Sequence, residues 1–269
     1  MEVKFKNVSF SYGDNVVFSN FSCVIKSNKI SAIIGASGSG KSTMLDLLDG
    51  LISCNSGSVF IGSYEVSHDV RKKIGYIFQN SSDQIFNSSV YMEIEFGLKC
   101  FKCSDIDAKI RQAICLVGLD ESYLSRNPFK LSSGERRKVA LASVLAYDPD
   151  IIIMDEPTVG LDNKSKNELM KLLRDLKKNC NKTIIIVSHD INFLHKFVDY
   201  VYLIKNGSIF LEGNKYDVLS NEAAMNECGL LVPNILHFSN LVSDKKGIDI
   251  GYRDEINDLI KDVYRYAKW

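Results

Sequence analysis

The sequence lacks three features, each of which would indicate a class of protein. It has no excess of charge, because 33 Lys and Arg balance 33 Asp and Glu, so nothing argues for nucleic acid or an anionic lipid surface as the main partner. It has no apolar run near the ~18 residues that a membrane span needs. Its first ten residues, MEVKFKNVSF, contain no apolar segment of the signal-peptide kind. The composition, 45% hydrophobic and 25% charged, predicts an ordinary globular protein.

The cysteines do not form a pattern typical of a disulfide framework. The chain has seven of them, an odd number, scattered along its length, which favours reduced thiols in a cytosolic protein. Cys100 and Cys103 form a lone C-x-x-C, but this motif follows a helical segment and does not open a helix after a strand. We therefore predict no redox or metal site there.

The order of the apolar segments is typical of a parallel α/β sheet. Residues 29–34 form a short apolar run that ends at a glycine and precedes a predicted helix. Residues 151–154 and 183–187 are uniformly apolar, as expected for strands that are buried on both faces. The stretch between them, residues 164–178, has a helical pattern.

The remaining segments predict helices and a hairpin around this sheet. The apolar stripe over residues 106–117 predicts an amphipathic helix, and Asn206-Gly207 between two apolar runs predicts a hairpin. From about residue 221 the motifs stop, and a mixed pattern indicates a helical appendage. At ~150 residues per domain, the length predicts one large domain or one domain with an appendage.

A phosphate-binding loop lies between the first predicted parallel strand and its helix. Residues 35–42, GASGSGKS, match G-x-x-x-x-G-K-S/T in full. The glycines allow a tight turn whose N–H groups point at phosphate oxygens, and the helix N-terminus adds its positive end. Lys41 can reach the β- and γ-phosphates, and the Ser42 hydroxyl can bind Mg²⁺. The predicted phosphate-binding residues are Gly35, Ala36, Ser37, Gly38, Ser39, Gly40, Lys41, Ser42 and Thr43.

Two carboxylates follow the apolar run at residues 151–154. Asp155 and Glu156 emerge at the carboxyl end of that predicted strand, where open α/β sheets bind their ligands. Asp155 is placed to hold Mg²⁺, and Glu156 is placed to polarise a water molecule for attack on the γ-phosphate. Without the phosphate loop, a solvated turn would be the better interpretation of this pair.

A second helix N-terminus offers another anion site. In the segment LSSGE, residues 131–135, Ser132 can cap a helix and Glu135 completes a capping box. The exposed N–H groups of such a helix start can bind phosphate. If one nucleotide contacts both anion sites, the second site comes from another copy of the chain. Helix capping alone is the alternative.

Together these elements resemble the nucleotide-binding subunit of an ATP-binding cassette (ABC) transporter, over about residues 1–213. The resemblance implies a P-loop NTPase cassette of the α/β class, with a RecA-like parallel sheet core, an antiparallel β subdomain and a helical subdomain at about residues 80–148. This cassette would span residues 1–220, followed by a C-terminal helical extension over residues 221–269. In that family, two subunits pair head to tail around ATP and Mg²⁺.

The resemblance also assigns roles to single residues. It implies catalysis by Glu156, His189 (the switch histidine) and Gln79 (the Q-loop), Mg²⁺ binding by Ser42, Gln79 and Asp155, adenine stacking by Tyr12, and a D-loop at Asp162. The signature residues that contact nucleotide in trans would be Leu131, Ser132, Ser133, Gly134 and Glu135. Each single position has a simpler alternative: a structural histidine, a loop glutamine, an aromatic at a strand end, or a helix N-cap.

A narrower resemblance is to the ATPase subunits of energy-coupling factor (ECF) transporters. It rests on the segments FQNSSDQIF (78–86), EFGL (95–98), PTVGLD (157–162) and GLLVP (229–233). It implies a peripheral protein on the cytoplasmic side of the cell membrane that powers uptake of a vitamin or a transition-metal ion. Its partners would be a second ABC ATPase subunit, identical or related, an integral membrane coupling protein that docks after Gln79, and a membrane subunit for substrate capture. No nucleic acid is expected.

Two departures and three alternatives accompany this interpretation. Ser133 stands where a second glycine is common in the signature, and Ser81-Ser82 stands where these subunits usually have proline, which predicts a more mobile loop. Neither change removes a catalytic group, so two alternatives stay open: this chain forms an equal site of a pair, or the weaker of two unequal sites. The alternatives are a generic ABC importer subunit, a soluble ABC ATPase acting on DNA or ribosomes, and a nucleotide-gated module without useful hydrolysis.

Overall fold

The computed structural model describes residues 1–80 and 84–267, and ten strands and ten α-helices form within these ranges. The strands are β1 (Val3–Tyr12), β2 (Asn15–Ile25), β3 (Ile30–Ile34), β4 (Ser56–Ile61), β5 (Tyr64–Glu65), β6 (Ile74–Ile77), β7 (Ile151–Asp155), β8 (Thr183–Val187), β9 (Tyr200–Lys205) and β10 (Ser208–Asn214). The helices are α1 (Lys41–Asp49), α2 (Val90–Cys100), α3 (Ile106–Leu116), α4 (Ser133–Leu145), α5 (Asn163–Cys180), α6 (Ile191–Leu194), α7 (Lys215–Leu219), α8 (Glu222–Glu227), α9 (Asn234–Lys246) and α10 (Ile256–Ala267).

A six-stranded sheet forms the centre of the chain, in the order β10-β9-β3-β8-β7-β6. The five strands from β9 to β6 run parallel, and β10 pairs antiparallel with β9 through the predicted hairpin. The parallel arrangement brings the carboxyl ends of β3, β8, β7 and β6 to one edge. The loops that follow these four strands therefore meet at the edge where open α/β sheets bind ligands.

Both faces of the central sheet are buried, which explains its uniformly apolar strands. Along β7, Ile152 and Met154 face one core with helices α2 to α6, while Ile151 and Ile153 face the other core with α1. All four side chains are fully buried. This division fixes the register of the sheet, because a shift by one residue would exchange the two faces.

A four-stranded antiparallel sheet, ordered β2-β1-β4-β5, covers the face that carries α1. Its buried aromatic side chains pack edge to face or tilted, with ring centroids 5.6 Å apart for Phe5 and Phe21 and 4.7 Å apart for Phe18 and Phe21. This sheet supports α1 and the loop that precedes it, since Phe18 belongs to the same core cluster as Met44 on α1.

Helices α2, α3 and α4 form a bundle between β6 and β7. Their buried apolar residues include Ile94, Ile110, Ile114 and Val139. The stripe predicted for residues 106–117 is confirmed as α3, and Gly118 follows with a positive φ of 72°. The chain then ends in α7 to α10, beyond the hairpin. None of the helices in residues 1–80 and 84–267 is long and apolar enough to cross a membrane.

Candidate active site

The loop between β3 and α1 forms a concave cradle of backbone groups. Gly35 adopts a φ of 158°, and a Cβ there would lie 2.3 Å from the carbonyl oxygen of Ile204. Gly40, with a φ of 105°, precedes the first residue of α1 and leaves its first turn without a side-chain cap. The loop therefore requires glycine, and the helix presents free N–H groups to an anion.

Two side chains inside this cradle are matched to phosphate oxygens. The Lys41 ammonium is buried and donates to the carbonyl oxygens of Gly35 and Ala36, each at 2.8 Å. Burial lowers the pKa of Lys41, and the nearby carboxylates of Glu156 and Asp155 oppose this shift. The Ser39 hydroxyl is buried and accepts or donates no hydrogen bond among the described residues. A phosphate oxygen would satisfy both groups.

Asp155 is the last residue of β7 and lies beside Val187 of β8. Burial raises the pKa of Asp155, and the negative charges of Glu156 and Asp46 raise it further, whereas Lys41 and His189 lower it. An acid in this environment gains from a nearby cation. The position suits a ligand of Mg²⁺ between β7 and the phosphate loop.

Glu156 is buried and held in one orientation by its neighbours on the β8 side. Its carboxylate accepts hydrogen bonds from the Ser188 hydroxyl at 3.0 Å and from the His189 backbone N–H at 3.0 Å. Its own N–H donates to the carbonyl oxygen of Val187 at 2.8 Å. The residue has a φ of 46°, which is unfavourable for a non-glycine residue and persists only where surrounding contacts fix it.

The His189 ring lies next to this carboxylate and is open to solvent. Its Nε2 is 3.5 Å from Oε1 of Glu156, and 58% of its side chain is exposed. Gln79 follows β6, the strand beside β7, and is also exposed. The structure thus brings Lys41, Asp155, Glu156 and His189 to one edge of the sheet, and Gln79 lies just after the neighbouring strand β6.

The predicted second helix N-terminus is confirmed as the start of α4. Ser132 and Glu135 form the complete capping box, with Ser132 N–H to Glu135 Oε2 at 2.9 Å and Glu135 N–H to Ser132 Oγ at 3.3 Å. The Tyr123 hydroxyl also donates to Glu135 at 2.6 Å. These bonds, first of all that from the Ser132 side chain, hold the pKa of Glu135 at about 2.

The start of α4 lies beside the start of α5 and not in the phosphate cradle. Ser132, Gly134 and Glu135 line a groove of about 660 Å³ together with Asp162. Asp162 caps α5 by accepting from the Ser165 N–H at 2.7 Å. Among the described residues that line this groove, none belongs to residues 35–43. The two predicted anion sites therefore lie apart in one chain.

Tyr12 ends β1 and is half exposed. Its ring packs edge to face on Phe10, with centroids 4.8 Å apart, and leaves surface for a further aromatic partner. The sequence prediction for Ser81-Ser82 concerns residues outside the described ranges.

Two residues near the carboxylates were not predicted from the sequence. Ser188 holds Glu156, and Arg137 of α4 donates to the carbonyl oxygens of Gln79 and Pro157. A serine after an apolar strand gives no signal of such a role. Arg137 stands in a helix that is buried on most sides, so no periodicity sets it apart.

Known proteins with similar sequences and folds identify the family of the chain. The family model described as ABC transporter matches residues 18–159. The chain belongs to the ABC transporter family. The energy-coupling factor transporter ATP-binding protein EcfA2 of Streptococcus sanguinis (strain SK36) is 37% identical to it over 260 residues, covering 91% of this chain and 93% of the relative. A protein of the same name from Bacillus cereus (strain ATCC 10987 / NRS 248) is 36% identical over 265 residues, covering 93% and 90%.

Solved structures of this family share the fold. CbiO1 of Clostridium perfringens, part of the ABC transporter complex cbiONQ, superposes with a TM-score of 0.76 at 30% identity and covers 88% of this chain and 98% of its own. The ATP-binding cassette MJ0796, solved as a dimer in a post-hydrolysis state with ADP and Pi, gives a TM-score of 0.70 at 30% identity, covering 79% and 98%. The predicted ABC cassette fold is therefore confirmed, and the chain is an ATP-hydrolysing ABC ATPase.

ABC ATPases use ATP with Mg²⁺, and the donor set of this ABC ATPase fits that ion. Mg²⁺ prefers oxygen ligands and is usually held by one or two carboxylates together with substrate phosphates. Asp155, Ser42 and Gln79 offer a carboxylate, a hydroxyl and an amide oxygen. Within the described ranges, no group of three or more His, Cys, Asp and Glu side chains forms a metal cage. An ion bound through the nucleotide needs no such cage.

Proposed function

We propose that this ABC ATPase is the ATP-binding and ATP-hydrolysing subunit of an ECF-type importer, which takes up a vitamin or a transition-metal ion. The observation that carries the proposal is the shared sheet edge, where the buried Lys41 ammonium lies in the field of Asp155 and Glu156. The EcfA2 relatives and the CbiO1 structure support the ECF type.

In the proposed mechanism, the chain first orients ATP. Tyr12 stacks on adenine, the N–H groups of residues 35–43 surround the phosphates, and Lys41 exchanges its bonds to Gly35 and Ala36 for phosphate oxygens. Ser42, Gln79 and Asp155 would hold Mg²⁺, which would supply positive charge to stabilise the phosphates of ATP.

Glu156 then acts as the proton acceptor for the attacking water. Its carboxylate is fixed by hydrogen bonds from the Ser188 hydroxyl and the His189 N–H, so it does not have to reorient during the reaction. The exposed His189 ring, 3.5 Å from that carboxylate, can donate to a γ-phosphate oxygen. The two groups therefore lie together at the same edge of the central sheet.

A second ABC ATPase subunit completes each site in this proposal. Residues Leu131, Ser132, Ser133, Gly134 and Glu135, with Asp162 beside them, would contact the nucleotide of the partner. The separation of the groove at Ser132 and Asp162 from the phosphate cradle supports this, since one chain does not bring the two together. ATP that contacts both chains in the closed state, and only one in the open state, drives closure of the pair.

An exposed aromatic surface after Gln79 is the proposed docking site for an integral membrane coupling protein. Phe86 and Phe96 pack edge to face with centroids 4.8 Å apart, and both are about half exposed, as is Met92. The buried Glu93 carboxylate fixes this surface by accepting from the N–H groups of Phe86 and Asn87 at 3.1 and 2.9 Å. We place the chain as a peripheral protein on the cytoplasmic side of the cell membrane, with a substrate-capture subunit in the same complex and no nucleic acid.

The domain boundaries complete the proposal. The cassette spans residues 1–220, with a helical subdomain at about residues 80–148. The extension over residues 221–269 adds a contact between the two ATPase subunits. This proposed contact is supported by an apolar groove of about 610 Å³ at α9 and α10, where Phe238, Ile256 and Ile260 remain exposed.

The docking surface can be tested with a matched pair of variants. Phe86→Asp places a charge in the aromatic surface, and Phe210→Asp makes the same change at an exposed phenylalanine on β10. Phe86→Asp should abolish retention of the chain on vesicles that carry the coupling protein and leave nucleotide binding intact, while Phe210→Asp should change neither. Equal retention of both variants would refute the docking site.

A further inference from the structure

Arg137 is a buried guanidinium that joins three segments of the active site. It lies in the second turn of α4 and is 8% exposed. Its Nη2 donates to the carbonyl oxygen of Gln79 at 2.9 Å, and its Nη1 donates to the carbonyl oxygen of Pro157. One side chain thus connects α4 to the loops that follow β6 and β7.

The burial of this charge needs a reason. Among the described residues, no carboxylate lies within ion-pair distance of Arg137, and burial lowers the pKa of Arg137 with no carboxylate opposing the shift. A buried cation without a counter-ion is expensive compared with an apolar residue of similar volume. Apolar side chains fill the neighbouring buried positions of α4, including Val139, Ala140 and Leu141.

The two carbonyl groups that accept from Arg137 indicate the function of its buried charge. The Gln79 carbonyl belongs to the residue that carries the proposed Mg²⁺ ligand. The Pro157 carbonyl follows directly after Glu156, whose φ of 46° must be fixed by its surroundings. A planar guanidinium with two diverging donors holds two carbonyls at a fixed separation, which a lysine ammonium on a flexible stem does not.

We propose that Arg137 is a positioning residue for ATP hydrolysis: its guanidinium sets the backbones at Gln79 and Glu156 relative to each other and to α4. This inference rests on the roles proposed above for Gln79 and Glu156. Arg137 touches neither the nucleotide nor the reacting atoms. It acts on turnover by holding the Mg²⁺ ligand and the proton acceptor in one geometry.

The test compares Arg137→Lys with Arg111→Lys. Arg111→Lys is the matched control: it makes the same substitution at an exposed site on α3, where Arg111 pairs with Asp107 and Glu121. The full chain is used for equilibrium binding of a fluorescent ATP analogue with and without Mg²⁺. The assembled ATPase complex is used for turnover. Melting temperatures of all variants accompany both measurements.

Arg137→Lys should bind the analogue normally without Mg²⁺, because the phosphate cradle is intact. The gain in affinity on adding Mg²⁺ should shrink several-fold, because Gln79 is no longer held. The kcat should fall about 10- to 100-fold with little change in KM, as expected for a small displacement of catalytic groups. Arg111→Lys should match the wild type in affinity without Mg²⁺, in the gain in affinity with Mg²⁺ and in kcat. If Arg137→Lys also matches the wild type, the inference is wrong.

A double variant separates positioning from a general structural effect. In a Gln79→Ala background, Arg137→Lys should cause no further loss of the Mg²⁺-dependent gain in affinity, because the two changes act through one ligand. Independent, additive losses would overturn the inference. Should Arg137→Lys fail to fold, the neutral Arg137→Gln, which reaches one carbonyl, replaces it in the same assays. A wild-type complex without Mg²⁺-dependent turnover would refute the proposed function instead.

Discussion

The change Glu156→Gln tests the proposed proton acceptor with little disturbance of its surroundings. The glutamine oxygen can still accept from the His189 N–H, now bonded to the carboxylate at 3.0 Å. Its amide nitrogen then faces the Ser188 hydroxyl, which can rotate from donor to acceptor. The shape of the buried side chain is unchanged, so the φ of 46° at this residue can persist.

The magnitude follows from this bonding. A positioned general base contributes about 10²- to 10⁴-fold to a rate, equivalent to about 3–5 kcal/mol of barrier. Since every hydrogen bond finds a substitute, the free energy of unfolding should change by less than about 1 kcal/mol. Nucleotide affinity should be preserved, because Glu156 raises the pKa of Asp155, and neutralising Glu156 favours the ionised form of Asp155, the proposed Mg²⁺ ligand.

The assay measures ATP turnover by the assembled complex and binding of a fluorescent ATP analogue by the full chain. Glu227→Gln is the matched control, because this exposed carboxylate forms a surface ion pair with Lys205. We expect slow turnover with normal binding for Glu156→Gln and wild-type behaviour for the control. Turnover of Glu156→Gln at the wild-type rate would refute the role of this carboxylate.

Three further predictions concern binding and stability. Lys41→Ala should weaken binding of the ATP analogue, since it removes the buried ammonium of the cradle; unchanged affinity would contradict the phosphate-loop assignment. Asp155→Asn should raise the melting temperature at pH 7. The pKa of Asp155 is higher in the folded chain than in the unfolded chain, so the unfolded chain loses the aspartate proton at a lower pH. The free energy of unfolding therefore falls as the pH rises from the unfolded pKa through the folded one. The difference should vanish below about pH 3, where aspartate is protonated in both states. Ser132→Ala should lower the free energy of unfolding in urea by about 1 kcal/mol through loss of the capping box, whereas Ser133→Ala, outside that box, should not.

The parts of the fold that could be predicted are those with strong local signals. The strand at Thr183–Val187 and the helix start at Ser132 follow from an apolar run and a capping box, and both lie where predicted. The phosphate loop is specified by its glycines. Because the carboxyl ends of parallel strands share an edge, the meeting of Lys41 with Asp155 also follows from the order of the segments.

The parts that could not be predicted depend on contacts between distant segments. Arg137 bonds to residues 58 and 20 positions away, and arginine is ordinarily expected at a surface. Glu93 is a buried carboxylate that accepts hydrogen bonds from the loop at Phe86 and Asn87. The left-handed backbone at Glu156 has no signal either, since glycine or asparagine is the usual residue there.

In the proposed assembly, this ABC ATPase works as one half of an ATPase pair on a membrane coupling protein. Its most direct test is affinity purification of the tagged full chain from solubilised membranes of its own cells, with identification of the subunits that remain bound. We predict recovery of a second ABC ATPase, identical or related, together with a small integral membrane protein, and loss of the latter from Phe86→Asp. Recovery of only ribosomal or DNA-bound partners would contradict the account.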